Sequence, residues 1–305
     1  MGARPMRGKN RPAGCSVRGL KVLVYHRIVD DEAVSRKFWH CLHVERFRRQ
    51  LELLDRWGFT PITFADYRLF REGELNLPSK PVIITFDDGY MDTFTYAFPL
   101  LQEFGMRAVV FVLGDRRIKT NYWDRTVGFP EAPLMDGRHI LELHEAGFEI
   151  GAHSMSHVKL TAIREDLAWD EISRSRMLLE ILLNDNVHTF SYPYGLNSAG
   201  TRRMTQNAGY LSACSVGSGP AVFGQDPFEI RRLTVFNNAG AGAFALRLLA
   251  PYEYYGWLRW RVSRYLKTGD PGHTEFQHIL DEKKRRHSRD LEPLNKLRER
   301  AHDER

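Results

Sequence analysis

Val82-Ile83-Ile84-Thr85-Phe86-Asp87-Asp88-Gly89-Tyr90 decides how the rest of the chain is read. Val82 to Phe86 is a short, continuous apolar run rich in β-branched residues, the pattern of a strand buried on both faces in a parallel sheet. It runs directly into two adjacent carboxylates and a glycine, so two acids stand where a strand ends. When strands are joined by helices, the loops at their carboxyl ends are the place for chemistry.

The same alternation continues on both sides. Upstream, residues 20 to 25 (LKVLVY) read as a buried strand, and Val44 to Trp57 places Phe47, Leu51 and Leu54 on one helical face before Gly58. A linker ending in LPSKP leads to the quoted strand. Downstream, Thr93 to Phe104 reads as a helix, Met106 to Leu113 as a strand, Gly137 to Ala146 as a helix and Phe148 to Ala152 as a strand. Glu165 to Leu183 is a long helix, Thr189 to Tyr192 a strand, Ala199 to Ala208 a helix, and Leu211 to Ser215 and Ile230 to Val235 are strands. Such strict alternation implies a parallel sheet or barrel. From Pro251 the character changes to PYEYYGWLRWRVSRYLK and then to a charged, helical tail.

The chain has 305 residues, 43% hydrophobic and 27% charged, enough for a sizeable core. The net charge of +6 belongs to the ends. Residues 1 to 18 carry five basic groups and no acid, and residues 257 to 305 carry thirteen basic and nine acidic groups, leaving about −3 for residues 19 to 256. A nucleic-acid-binding core is therefore not indicated. Trp257, Trp260, Val262 and Tyr265 beside Arg259, Arg261, Arg264 and Lys267 suit either peripheral contact of residues 251–267 with an anionic membrane or packing on the chain's own core. Cys15, Cys41 and Cys214 form no CxxC pattern, which fits a reducing compartment. Met1 to Arg18 lacks the apolar centre of a signal peptide, so the expectation is a cytoplasmic protein, peripheral at the inner membrane face.

A second cluster, His153-Ser154-Met155-Ser156-His157, also follows a strand, and its spacing lets both imidazoles converge in one turn. One carboxylate plus two imidazoles makes a three-ligand site for a divalent metal with positions left for water and substrate. A metal on Asp88, His153 and His157 would acidify a bound water, and Asp87 beside it would take the proton. Zinc is the default ion for a hydrolase, and the donor set also accepts Co, Ni, Fe or Mn.

At this point the chain resembles the polysaccharide deacetylases of carbohydrate esterase family 4, the NodB homology domain. Thr85-Phe86-Asp87-Asp88-Gly89-Tyr90 is similar to that family's first motif, His153 to His157 to its second, and Ser191-Tyr192-Pro193-Tyr194-Gly195 to its third. The resemblance covers about residues 20 to 236. It implies Asp87 as catalytic base, Asp88, His153 and His157 as metal ligands, and the Tyr194 backbone N–H as an oxyanion donor. The Arg that usually opens the third motif is Ser191 here, and no C-terminal Leu-x-His is present. Val24-Tyr25-His26-Arg27 instead resembles the branch typified by poly-N-acetylglucosamine deacetylases, which implies His26 as the general acid. Glu229-Ile230-Arg231-Arg232-Leu233 resembles a segment of that branch, and Arg232 is expected to hydrogen-bond Asp87 in place of the missing Arg.

The resemblance implies an α/β fold, a distorted (β/α)7 barrel with a helical C-terminal extension. The expected divisions are 1–18 (basic N-terminus), 19–236 (deacetylase domain) and 237–305 (extension). The expected reaction is removal of an N-acetyl group from an amino sugar of a polysaccharide, oligosaccharide or lipid-linked glycan. Deformylation, O-acetyl ester hydrolysis and glycan binding without turnover are the alternatives. Tyr90, Trp123 and Tyr194 are candidate sugar-contact residues, with Tyr122 beside them. A non-haem iron oxygenase shares the ligand types, but such enzymes usually sit on a β-sandwich.

Overall fold

Side chains of a strand alternate between its two faces, and in a closed barrel one face looks inward. The computed structural model describes residues 20–216, 226–237 and 240–249, and within them that rule organises the molecule. The basic N-terminus 1–18 and the aromatic-basic segment 251–267 lie outside the described residues.

The elements are, in order, β1 (Lys21–Tyr25), β2 (Arg27–Val29), α1 (Glu32–Lys37), β3 (Cys41–His43), α2 (Val44–Arg56), β4 (Thr60–Pro61), α3 (Phe64–Glu72), β5 (Pro81–Phe86), α4 (Phe98–Glu103), β6 (Val109–Val112), α5 (Gly137–Glu145), β7 (Glu149–Ala152), α6 (Glu165–Leu183), β8 (Thr189–Ser191), α7 (Ala199–Asn207), β9 (Ser212–Val216), β10 (Ile230–Thr234) and α8 (Ala241–Leu249). Seven parallel strands close into a barrel in the order β1-β10-β9-β8-β7-β6-β5 and back to β1. The closing seam pairs Leu23 with Ile84, and on its other edge Leu23 pairs with Leu233. The ring is irregular: β7 and β8 meet at the single pair Ala152 and Phe190.

Val22, Ile83, Val109, Phe111, Cys214 and Ile230 fill the barrel interior together with Ile62, Phe64 and Tyr67, which close its amino-terminal end from β4 and α3. Leu23, Tyr25, Ile84 and Phe86 point the other way, into the layer shared with the helices. There α2 buries Phe47, Leu51 and Leu54 completely, each contributing about 1.5–3 kcal/mol. Carried on to the carboxyl ends of the strands, the same alternation brings His26, Thr85, Asp87, His153, Ser191 and Arg232 to the barrel mouth.

The segment before the LPSKP run is not simply a linker. It holds β4 and α3, started by a capping box between Thr63 and Asp66 and ended by Gly73 in the left-handed region. The helix expected over Thr93 to Phe104 begins instead as a wide π turn, Thr93–Ala97, with the Phe98 N–H bonded to the Thr93 carbonyl. Pro99 has no N–H to give the Thr95 carbonyl, which removes one α-type bond at this place. Past residue 236, α8 packs on α2 and puts Phe244 and Leu248 into the main core. Among the described residues, no helix is long and apolar enough to cross a membrane.

Candidate active site

Arg232 organises the interior of the barrel mouth. Wholly buried, it can be accommodated only if its charge is paired and its five N–H donors find acceptors. Nη1 and Nη2 donate to Asp87 Oδ1 and Oδ2 at 2.7 and 2.6 Å. The remaining donors reach Thr85 Oγ1 at 3.0 Å, Ser191 Oγ at 2.8 Å and the Ser215 carbonyl at 3.2 Å. The contact expected between Arg232 and Asp87 is thus bidentate. Burial pushes the Asp87 carboxyl up, but the charge and hydrogen bonds of Arg232 outweigh it and hold Asp87 below the usual carboxylate value. Ser191 Oγ donates a further bond to Asp87 Oδ2 at 3.2 Å. Thr85 and Ser191 were not assigned roles from the sequence; counting the acceptors a buried guanidinium requires is the signal that finds them.

Asp88 follows with φ +73°, in the left-handed region. Four of the five non-glycine residues with positive φ among those described, Asp88, Ser154, His157 and Tyr194, belong to this mouth, and the fifth is Asn184. Strained backbone of this kind persists where the surroundings over-determine it. Gly89, also at positive φ, lies so near β6 that a Cβ would sit 3.0 Å from Val112 Cγ1.

Asp88 Oδ1 faces His153 Nε2 at 3.2 Å and His157 Nε2 at 3.1 Å. His153 Nδ1 lies 2.7 Å from the Ser191 carbonyl, which only accepts, so the proton is on Nδ1 and Nε2 presents its lone pair. Asp88 Oδ1 is buried without a hydrogen-bond partner. Three electron-pair donors, all within 4.8 Å of one another and closed off from solvent, are therefore aimed at one point. Such a donor set fits a divalent cation of borderline softness.

His157 is enclosed by aromatic rings: Trp123 stacks on it at 4.3 Å and 17°, and Tyr194 meets it edge-on at 4.6 Å. Tyr194 has φ +61° and precedes Gly195, where a Cβ would lie 2.6 Å from the Val216 amide nitrogen. His26 stands half-buried at the end of β1 with its ring edge-on to Trp39 at 5.6 Å. Its pKa is lowered by burial, against the pull of Asp88 and Asp87.

Tyr90 corrects an expectation. It is fully buried, and its hydroxyl donates to Asp124 at 2.9 Å, so its ring cannot stack on a sugar. Its position one step past Gly89 turns it away from the mouth, beneath the Arg27 guanidinium, 5.4 Å from the ring centre. Asn121 donates to the same Asp124 oxygen at 2.9 Å, and Arg27 pairs with Asp92 at 2.7 Å. Tyr122, the other aromatic beside Trp123, gives its hydroxyl to the Ser156 carbonyl at 2.7 Å.

Residues 74–213 match the polysaccharide deacetylase family model. The chain is 24% identical over 277 residues to the poly-beta-1,6-N-acetyl-D-glucosamine N-deacetylase of Escherichia coli K12, an alignment covering 77% of this chain and 39% of that longer protein. It is 22% identical to the enzyme of the same name from Staphylococcus epidermidis, over 72% of each chain. Among solved structures, it shares the fold of IcaB from Ammonifex degensii, with TM-score 0.63, 22% identity and coverage of 77% of this chain and 99% of that one. It also shares the fold of the Streptococcus pyogenes deacetylase PplD, with TM-score 0.65, 20% identity and coverage of 75% and 97%.

Proposed function

Since residues 74–213 match the polysaccharide deacetylase family model, we propose that the chain is a metal-dependent hydrolase that removes the N-acetyl group from an amino sugar of a glycan. The observation that carries this reading is the pairing at one barrel mouth of a fixed carboxylate, Asp87, with a separate donor set of Asp88, His153 and His157. Metal-assisted hydrolysis of an ester or amide uses both parts, a base and an electrophile site, side by side. The names of the E. coli and S. epidermidis relatives favour an N-acetylated glycan as substrate.

A divalent ion held by Asp88, His153 and His157, with zinc the expected one, would polarise the acyl carbonyl and lower the pKa of a bound water. Asp87, kept ionised by Arg232, accepts a proton from the attacking water. The backbone N–H of Tyr194 donates to the carbonyl oxygen as charge develops on it. His26 delivers a proton to the departing nitrogen; the C–N bond breaks, leaving acetate and a free amine. Trp123 offers its ring as one wall for the sugar. Water attacks directly, so no acyl-enzyme forms.

The test is release of acetate and free amine from N-acetylglucosamine oligomers and lipid-linked N-acetyl sugars, using metal-stripped protein reconstituted with Zn, Co or Ni. Asp87→Asn is expected to keep its metal and lose turnover. Formamido and O-acetyl sugars form a parallel arm. Metal-independent release, or full activity in Asp87→Asn, would overturn the mechanism, and glycan binding with no release from any substrate would leave a binding protein.

A further inference from the structure

The turn that carries both imidazoles is held in a shape its own sequence does not favour. Ser154 has φ +62° and His157 φ +60°, conformations that residues with a Cβ seldom adopt. His153 Nδ1 donates to the Ser191 carbonyl, so in the neutral ring its Nε2 turns a lone pair towards Asp88 Oδ1, 3.2 Å away. Something other than the metal must keep the turn closed.

Most of its anchors are backbone groups of neighbouring segments. His153 N–H bonds to the Val112 carbonyl at 2.8 Å, while the N–H groups of Gly114 and Asp115 reach the Ser154 and Met155 carbonyls at 2.9 and 3.1 Å. Within the turn, the His157 N–H bonds to Ser154 Oγ at 3.0 Å. Ser156, immediately before His157, is held differently. Its N–H and its hydroxyl both donate to the carboxylate of Glu171, to Oε2 at 2.9 Å and to Oε1 at 2.5 Å. Glu171 lies on α6, so a rigid 19-residue helix reaches the turn through one side chain. From the other side Tyr122 closes the grip through the Ser156 carbonyl, and its neighbour Trp123 lies flat on the His157 ring.

We propose that Glu171 is a positioning residue for the metal site: it fixes Ser156 and so holds His157 at the angle at which its Nε2 meets His153 Nε2 and Asp88 Oδ1. This rests on the reading of Asp88, His153 and His157 as metal ligands. Glu171 is suited to the task because its charge is spent on two neutral donors of one residue, and both carboxylate oxygens are used. Partners that orient metal ligands typically govern metal affinity by about 10–100-fold.

The experiment is a titration of the full chain with Co(II) and Zn(II) against a chromophoric chelator, together with the visible spectrum of the Co(II) form and the melting temperature of the metal-free form. Glu171→Gln, which keeps the volume but only one acceptor, is expected to weaken metal binding about 10–100-fold and to alter the Co(II) spectrum. Glu171→Asp should recover part of the affinity. Ser156→Ala removes the hydroxyl bond alone, should weaken binding less, and keeps the test decisive if a Glu171 variant does not fold. Glu165→Gln, an exposed change on the same helix, should match the parent. Parental affinity and spectrum in both Glu171→Gln and Ser156→Ala would overturn the proposal. A parent chain that binds no metal, or binds it equally after His157→Ala, would instead overturn the ligand assignment on which the proposal stands.

Discussion

Arg232 and Asp87 meet through two hydrogen bonds of 2.7 and 2.6 Å although they rise from β10 and β5, strands separated in the ring by β1. The pair therefore crosses the barrel interior and is not a neighbour contact along the sheet. A carboxylate base held this way has one orientation and stays charged, because protonating it would leave a buried guanidinium without its counter-charge. Ser191 completes the arrangement: its hydroxyl serves Arg232 and Asp87 while its carbonyl takes the Nδ1 proton of His153. One residue thus orients the base and a candidate metal ligand together.

Arg232→Gln removes the charge and the fork. The expected result is a fall in turnover of about 10–100-fold with metal content unchanged, since none of the three candidate ligands touches Arg232. Stability should fall by about 3–5 kcal/mol, the usual cost of leaving one member of a buried ion pair alone. Metal analysis, steady-state kinetics and urea unfolding check the three parts separately, and parental turnover would exclude Arg232 from orienting the base.

Metal should also stabilise the fold. Three buried electron-pair donors within 4.8 Å of one another are compatible in the folded chain when a cation lies between them. Zn(II) at about 100 times its dissociation constant should add about 2.7 kcal/mol to unfolding free energy. In Asp88→Asn the gain should largely vanish. Thermal scans with and without a chelator measure this, and an unchanged gain in that variant would remove Asp88 from the ligand set.

Asp87, Asp88, His153 and His157 can be read from the sequence because their signals are local, whereas His26 and Arg232 rest on the family resemblance and Thr85 and Ser191 emerge only from the hydrogen bonds of Arg232. A buried apolar run ending in Asp87-Asp88 and a five-residue turn with a His at each end are patterns of neighbouring residues, and the period of two carries each strand's direction to its tip. The seven barrel strands follow from the same signals, with Val109–Val112 shorter than the expected Met106–Leu113. Two kinds of feature escaped. α3 lies in a stretch of mixed polarity, and its capping box, Thr63 with Asp66, is a stronger mark of a helix than its hydrophobic pattern. Tyr90 and Glu171 escaped because their roles depend on partners 34 and 15 residues away. From sequence alone, an aromatic beside two catalytic carboxylates reads as a substrate platform; only the packing of the loop over residues 121–134 shows which way it faces.

Acid should weaken α5 through its cap. Asp136 accepts the N–H groups of His139 and Arg138, and chiefly the bond from His139 brings its pKa down to about 2. The folded value lies below the ordinary 3.8, so the unfolded chain takes up the proton first as pH falls. The stabilisation is therefore complete above about pH 4 and is lost as pH drops towards 2. Asp136→Asn keeps an oxygen cap without the charge. Urea midpoints measured from pH 5 to pH 2 should fall less steeply for this variant than for the parent, and parallel curves would show that the cap carries no pH-dependent stability.

Tyr90 and Trp123 give opposite predictions although both were candidate sugar contacts. Tyr90→Phe removes a buried hydroxyl whose partner, Asp124, keeps only the Asn121 bond on that oxygen. Its cost should appear in stability, about 1–3 kcal/mol, with KM for the glycan close to the parental value. Trp123 is half-buried, and its ring covers the His157 imidazole at the mouth. Trp123→Ala uncovers that face and should raise KM for oligosaccharides more than for a monosaccharide, because a flat ring gains most from a substrate long enough to stack on it. Kinetics on a ladder of chain lengths, beside unfolding curves for both variants, separate the two roles. A rise in KM for Tyr90→Phe that equals the rise for Trp123→Ala would show that Tyr90 reaches substrate after all, which its burial beneath Arg27 argues against.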